Sequence, residues 1–416
     1  MIRIDEIRIV GYKNIENAAI KLSNFNVVIG PNNSGKSNFI QTISFLNYVV
    51  NSSLDEAELS FTNGFDGTYL REIAPSLKLS EAAASINGPA RQGVTSFELT
   101  FSNSETNRTF VYFLELEWES TFLKSKYKIK LEKLDIKESN KPGPATNIFS
   151  RNYESVKYGS EFSKTNIIEK VPNHFSVVRV LKIITEVRPE YKDAVDSFNE
   201  IIKTPIFYFS NVELLKGDKE RLNSFNGRII SFELEKEIIA LERGKNWNIF
   251  KEAIHNILSI EDVSVFESGG QLNLNEKIPI TKYLFFTHHG YVKTLSQFSD
   301  GTLLIMALVT KILSTKNSLF LIEEPENSTH PRALIDLIAF IKSFSENTQF
   351  IITSHSIAVL NKTSVEDIIV SSVKDSGFCE LFNVTSKKEL KTRLKKSRVN
   401  FSDELFFAIE DTSEFE

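Results

Sequence analysis

The chain has 416 residues, enough for two or three domains, and its 41% apolar and 25% charged content is that of a soluble globular protein. One cysteine, Cys379, excludes a disulfide framework or a cysteine-built metal site and suits a reducing cytoplasm, and the net charge of −5 excludes a global pull toward nucleic acid. No apolar run is long enough to span a bilayer and the first residues already read as a strand, so a cytoplasmic protein with no membrane partner is expected.

In chain order, Ile2–Ile15 opens with strand alternation. Phe25-Asn26-Val27-Val28-Ile29 then predicts a buried strand, and Asn38–Leu46 predicts an amphipathic helix. Between them lies Gly30-Pro31-Asn32-Asn33-Ser34-Gly35-Lys36-Ser37. Phosphate oxygens need many donors converging from one side, and glycines let a loop's backbone N–H groups come close. The spacing predicts that Asn33, Ser34, Gly35, Lys36, Ser37 and Asn38 bind the phosphates of ATP, with Lys36 on the β- and γ-phosphates and the Ser37 hydroxyl on Mg²⁺. The following helix adds its N-terminal dipole.

Residues 95–136 alternate strongly through Phe97, Leu99, Phe101, Tyr112, Leu114 and Ile129, which predicts an antiparallel meander. Asn140–Pro144 reads as a loop. Residues 164–260 read mostly as helices, including Val178–Thr185 and Ile229–Leu241, without the sustained heptads of a long coiled coil. Further on, Leu303–Leu313 predicts a long apolar helix with Ser299 as its N-cap.

Ser318–Ile322 reads as a buried strand that delivers Glu323 and Glu324 at its C-terminal end. One carboxylate can hold Mg²⁺ through its water shell while the next polarises an attacking water; Glu323 is assigned to the metal and Glu324 to the water. A second strand, from Gln349, ends at His355, which is placed to contact the γ-phosphate. Ser386–Arg398 is the most basic segment, a contact for nucleic acid or an acidic partner or a solvated helix face, and 410–416 is an acidic end that frays.

The order of these motifs resembles the ABC-type ATPase heads of the SMC, RecF and overcoming-lysogenization-defect group. Gly30–Asn38 is close to their phosphate loop, and Phe298-Ser299-Asp300-Gly301-Thr302 resembles their shortened signature. Ile322–Asn327 with His330-Pro331 resembles their metal-site segment, and Thr353-Ser354-His355-Ser356 their switch histidine. The metal acid is Glu323 where many such heads have Asp, and Gln92 is a weak candidate for their glutamine loop. The resemblance implies an α/β fold, a phosphate-loop parallel core plus an antiparallel β-lobe, with a helical insertion. Residues 1–136 would form the N-terminal half of the core with the lobe, 137–280 a mainly helical insertion, and 281–416 the C-terminal half. It also implies that Ser299, Asp300 and Gly301 complete the ATP site of another subunit in a homodimer or larger homo-oligomer. The function implied is ATP hydrolysis by a sensor or regulatory scaffold of a bacterial anti-phage defence system, as in the ATPase subunits of PARIS and Septu. No nuclease motif appears, so a separate nuclease or toxin is the expected effector. The alternative is a RecF-like repair ATPase that clamps DNA.

Overall fold

Alternation of isoleucines builds the first hairpin. In Ile2–Tyr12 (β1), Ile2 and Ile4 are buried and so are Ile7 and Ile9; the change of phase is absorbed by a register shift between Ile4 and Glu6 against a neighbouring strand. β1 pairs antiparallel with Ile15–Lys21 (β2). The computed structural model describes residues 1–51, 91–120, 125–138, 144–159, 168–182, 189–208, 234–273, 276–315, 318–374 and 377–386. The chain divides into two units: Met1–Ile206 with Ser318–Glu323 and Ser345–Glu416, and Phe207–Asn317 with Glu324–Phe344.

The first unit contains Phe25–Ile29 (β3), Lys36–Asn51 (α1), and the lobe strands Arg91–Asn103 (β4), Arg108–Ser120 (β5), Ser125–Glu138 (β6), Thr146–Asn152 (β7) and Ser155–Tyr158 (β8). Helices Val177–Leu181 (α2) and Pro189–Ile202 (α3) follow, and the chain leaves this unit at Ile206–Tyr208 (β9). It returns as Leu319–Glu323 (β13), Gln349–Ser354 (β14), the short helix Ile357–Leu360, Ile368–Val373 (β15) and Cys379–Asn383 (β16). One sheet runs in the order β8-β7-β6-β5-β4-β1-β2-β16-β15-β3-β14-β13. Its lobe half is antiparallel, whereas β15, β3, β14 and β13 are mutually parallel. One core joins both halves. Phe39, Ile40, Ile43 and Leu46 of α1 pack with Leu321 and Ile351, and the same cluster continues through Phe97, Phe101 and Tyr112 to Phe198 of α3. Tyr112 and Phe198 have ring centroids 4.1 Å apart.

The second unit holds Leu234–Leu241 (α4), Trp247–Leu258 (α5), the three-stranded sheet Asp262–Asn273 (β10), Glu276–His288 (β11) and Tyr291–Lys293 (β12), then Asp300–Ser314 (α6) and Pro331–Ser343 (α7). Helix α6 is buried almost all round from Leu303 to Leu313 and packs against α4 and α5.

The meander of residues 95–136 is present as β4, β5 and β6. The described residues of 137–280 hold both helices and strands, where a mainly helical insertion is expected. β7 and β8 extend the lobe sheet, α2 and α3 pack on α1 in the first unit, and the β10–β11 hairpin crosses residue 280. Alternation explains the hairpin: Val263, Leu284 and Phe286 are buried while Ser264, Phe266 and Tyr283 are exposed, and Gly269-Gly270 interrupts the pattern at a register shift. Gln92 lies within β4, opposite Glu119, and not in a loop before a strand. Val178–Leu181 and Leu234–Leu241 are helical; 183–185, 229–233, 140–143, 387–398 and 410–416 lie outside the described residues.

A buried ionic network joins the lobe to α2. Glu132 Oε1 accepts from Tyr112 at 3.0 Å and from the Ser176 hydroxyl at 2.5 Å, and Oε2 accepts from Val177 N–H at 2.8 Å. Arg151 sits 3.6 Å from Glu132 and donates to the carbonyls of Val171, Pro172, Tyr153 and Phe175. Desolvation lowers the Arg151 pKa, and burial with the adjacent carboxylate pushes the Tyr112 phenol well above its ordinary value. Removing one member leaves the others uncompensated, so Glu132→Ala is expected to cost about 3–5 kcal/mol of stability. Urea unfolding would show this as a lower midpoint, and an unchanged midpoint would mean the network contributes nothing.

Candidate functional site

Parallel pairing sets the position of the site. Ile29 at the end of β3 lies beside Ser354 of β14 and Val370 of β15, and Thr353 of β14 lies beside both Val28 and Glu323. With strands about 4.8 Å apart, Glu323 is two strands, or about 10 Å, from the start of the phosphate loop. The loop, Glu323 and His355 therefore share the C-terminal edge of one parallel sheet, where open α/β sheets bind their ligands.

The loop is built for close approach. A Cβ at Gly30 would lie 2.0 Å from the Ser371 carbonyl oxygen. Gly35 has φ +95° and Asn33 has φ 63°, left-handed backbone that bends the loop sharply, and the Ser34 N–H donates to the Pro31 carbonyl at 3.3 Å within the bend. Lys36 opens α1, where the first-turn N–H groups have no intrahelical acceptor. Its side chain is only 4% exposed, and Nζ donates to the carbonyls of Gly30 at 2.9 Å and Pro31 at 2.8 Å. The ammonium is thus held inside the curl of its own loop.

Three strand ends prop the loop from behind. Ser371 Oγ of β15 donates to the Ser34 carbonyl. Asn14, in the β1–β2 turn, donates to the Asn33 carbonyl at 3.2 Å and accepts from Asn38 Nδ2 at 2.6 Å. Cys379 of β16 lies 2.8 Å from Asn14 Nδ2, and its thiol and Asn14 Oδ1 fill the space beside Gly35. None of these three contacts carries a local sequence signal, because each is made by a residue remote from the loop.

The residues present fit Mg²⁺-ATP. Ser34 Oγ and Thr353 Oγ1 are both fully buried at this edge with no hydrogen-bond partner among the described residues, an arrangement that calls for a polar ligand. The half-buried Ser37 and the Glu323 carboxylate are the groups that would hold the cation, and the loop amides with Lys36 would hold the phosphates. Among the described residues no group of three or more His, Cys, Asp or Glu side chains is arranged as a metal cage.

In the second unit, Glu324 follows Glu323 with φ 48°, and its Oε2 accepts from Asn327 Nδ2 at 3.0 Å. Asn327 thereby orients the carboxylate, a role the sequence reading did not give it. Ser299 caps α6, its hydroxyl accepting from Thr302 N–H at 3.4 Å, and Ser299 and Asp300 are exposed. Gly301 is buried, and a Cβ there would lie 1.8 Å from the Ser328 carbonyl oxygen, so the glycine has a reason within its own chain. His355 is exposed at the end of β14.

Burial pushes the Cys379 thiol up to about 12, against a smaller opposing effect of the Lys36 charge. Only the thiolate is nucleophilic. Alkylation at pH 8 is therefore expected to be slow in the folded protein and ordinary in denaturant; equal rates in both would show that the prop behind the loop is open.

Residues 25–361, most of the chain, match the family described as "AAA domain, putative AbiEii toxin, Type IV TA system". No curated protein matches the sequence. Among solved structures, an Smc head bound to the C-winged helix domain of ScpA is 12% identical, with a TM-score of 0.49 over 91% of this chain and 97% of that one. The SMC head domain from Thermotoga maritima is 12% identical, with a TM-score of 0.42 over 92% and 99%. An Smc head with an extended coiled coil, bound to the C-terminal domain of ScpA derived from Pyrococcus furiosus, is 13% identical, with a TM-score of 0.45 over 95% and 100%. From the family match, the chain belongs to this family of AAA-type ATPase domains.

Proposed function

We propose that the protein binds and hydrolyses ATP as a homo-oligomer and serves as the sensor of a bacterial anti-phage system that controls a separate nuclease or toxin. The observation that carries the ATPase reading is the convergence of the propped loop and Glu323 at one sheet edge. Lys36 and the loop amides hold the phosphates, and Ser37 and Glu323 hold the cation's position. Mg²⁺ bound with ATP neutralises charge on the phosphate oxygens. Glu324, oriented by Asn327, orients and deprotonates the attacking water. His355 contacts the γ-phosphate, and Ser299 and Asp300, exposed at the start of α6, face the nucleotide of another subunit. The family description's words toxin and Type IV TA system support a two-component setting for the protein.

Glu324→Gln keeps the carboxylate's shape without its basicity. Turnover is expected to fall roughly 10²–10⁴-fold while ATP binding persists and the ATP-bound oligomer accumulates on sizing. If Glu324→Gln abolishes binding and Glu323→Gln spares it, the two roles are reversed. Full turnover by a strict monomer would rule out the shared site.

A further inference from the structure

We propose that the Thr353 hydroxyl is a positioning residue for the nucleotide's divalent cation, holding a water of its hydration shell on the side of Glu323. The proposal rests on the ATPase reading above and adds to it a residue outside the loop and the acidic pair. Three observations carry it. Thr353 is 0% exposed, and its hydroxyl has no hydrogen-bond partner among the described residues. It is the direct register partner of Glu323 on one side and of Val28, two residues before the phosphate loop, on the other. Residues paired across parallel strands project to the same face. That face is the one covered by α1: Leu319, Leu321, Ile351 and Val28 belong to the core cluster with Phe39, Ile40 and Ile43, whereas Phe320, Ile322, Phe350 and Ile352 do not. Thr353 and Glu323 thus continue the face beneath the helix that carries Lys36 and Ser37.

The other polar side chains of β14 are satisfied. Gln349 donates to the carbonyls of Ile4 at 2.7 Å and Ser23 at 2.9 Å and accepts from Ile4 N–H at 2.9 Å. Ser354 Oγ accepts from Ser356 N–H at 3.0 Å. A β-branched residue suits a buried strand end, but valine would serve that purpose without a buried hydroxyl, which costs free energy when left unpartnered. A hydroxyl kept at this position beside the metal acid fits a polar group that arrives with the ligand.

The test compares Thr353→Val and Thr353→Ser with the unaltered full chain. Calorimetry gives ATP affinity in Mg²⁺ and in EDTA, electron paramagnetic resonance gives Mn²⁺ affinity in the presence of ATP, and thermal melting is recorded without nucleotide. Thr353→Val is expected to reduce Mn²⁺ affinity and the Mg²⁺-dependent gain in ATP affinity about tenfold, the scale of one hydrogen bond. ATP affinity in EDTA should not change, melting without nucleotide should be unchanged or higher, and Thr353→Ser should restore the cation effects. An undiminished Mg²⁺-dependent gain in Thr353→Val overturns the proposal. So does a lower melting temperature for Thr353→Val, or equal loss of ATP affinity with and without the cation, since either makes the hydroxyl structural. Absence of ATP binding in the unaltered chain would instead remove the ATPase reading.

Discussion

Parallel pairing of β13, β14, β3 and β15 is the constraint on which the site depends. Residues 30–37 and Glu323 are remote in sequence, and only the register of these strands sets them at one edge. Toward their C-terminal ends β3, β13 and β14 run through buried apolar residues and then give way to the loop or to polar groups: Ile29 into Gly30, Ile322 into Glu323, Ile352 into Thr353. Burial drives the strands together, and the polar ends are carried to the edge as a consequence.

Holding the loop is a separate task. A loop that cradles phosphate must keep its amides converging before the ligand arrives, and the entropy of ordering it is then not lost on binding. Asn14, Ser371 and Cys379 hold the loop by donating to its carbonyls and not by taking its amides. Lys36 contributes from inside, its ammonium donating to the carbonyls of Gly30 and Pro31. Phosphate oxygens are stronger acceptors for an ammonium than neutral carbonyls, so the proposed ATP binding would carry an exchange of partners at Lys36.

The legible parts were those with local grammar. The strand-loop-helix around Lys36, the Ser299 cap with its apolar helix, and the acid at the end of β13 all follow from spacing and periodicity over a dozen residues or fewer. The props were not legible, because Asn14 and Cys379 meet the loop only through tertiary pairing of β2 with β16. Gly301 shows the same limit from the other direction. Its signature-like segment carries no sign of the close approach to the Ser328 backbone that the fold requires of it. In residues 137–280 the helices Pro189–Ile202 and Trp247–Leu258 carry a readable period, whereas short strands such as Thr146–Asn152 and the glycine-broken β10 give too few alternations to stand out beside them.

The central claim is that a preformed loop recognises a chain of phosphates. Equilibrium titration of the full chain with ATP, ADP and AMP in Mg²⁺ tests it most directly. Lys36 and the loop amides are assigned to the β- and γ-phosphates, so ATP and ADP should bind and AMP should bind at least about a hundredfold more weakly, the loss of two or more charge-assisted hydrogen bonds. Equal affinity for all three nucleotides would contradict the account.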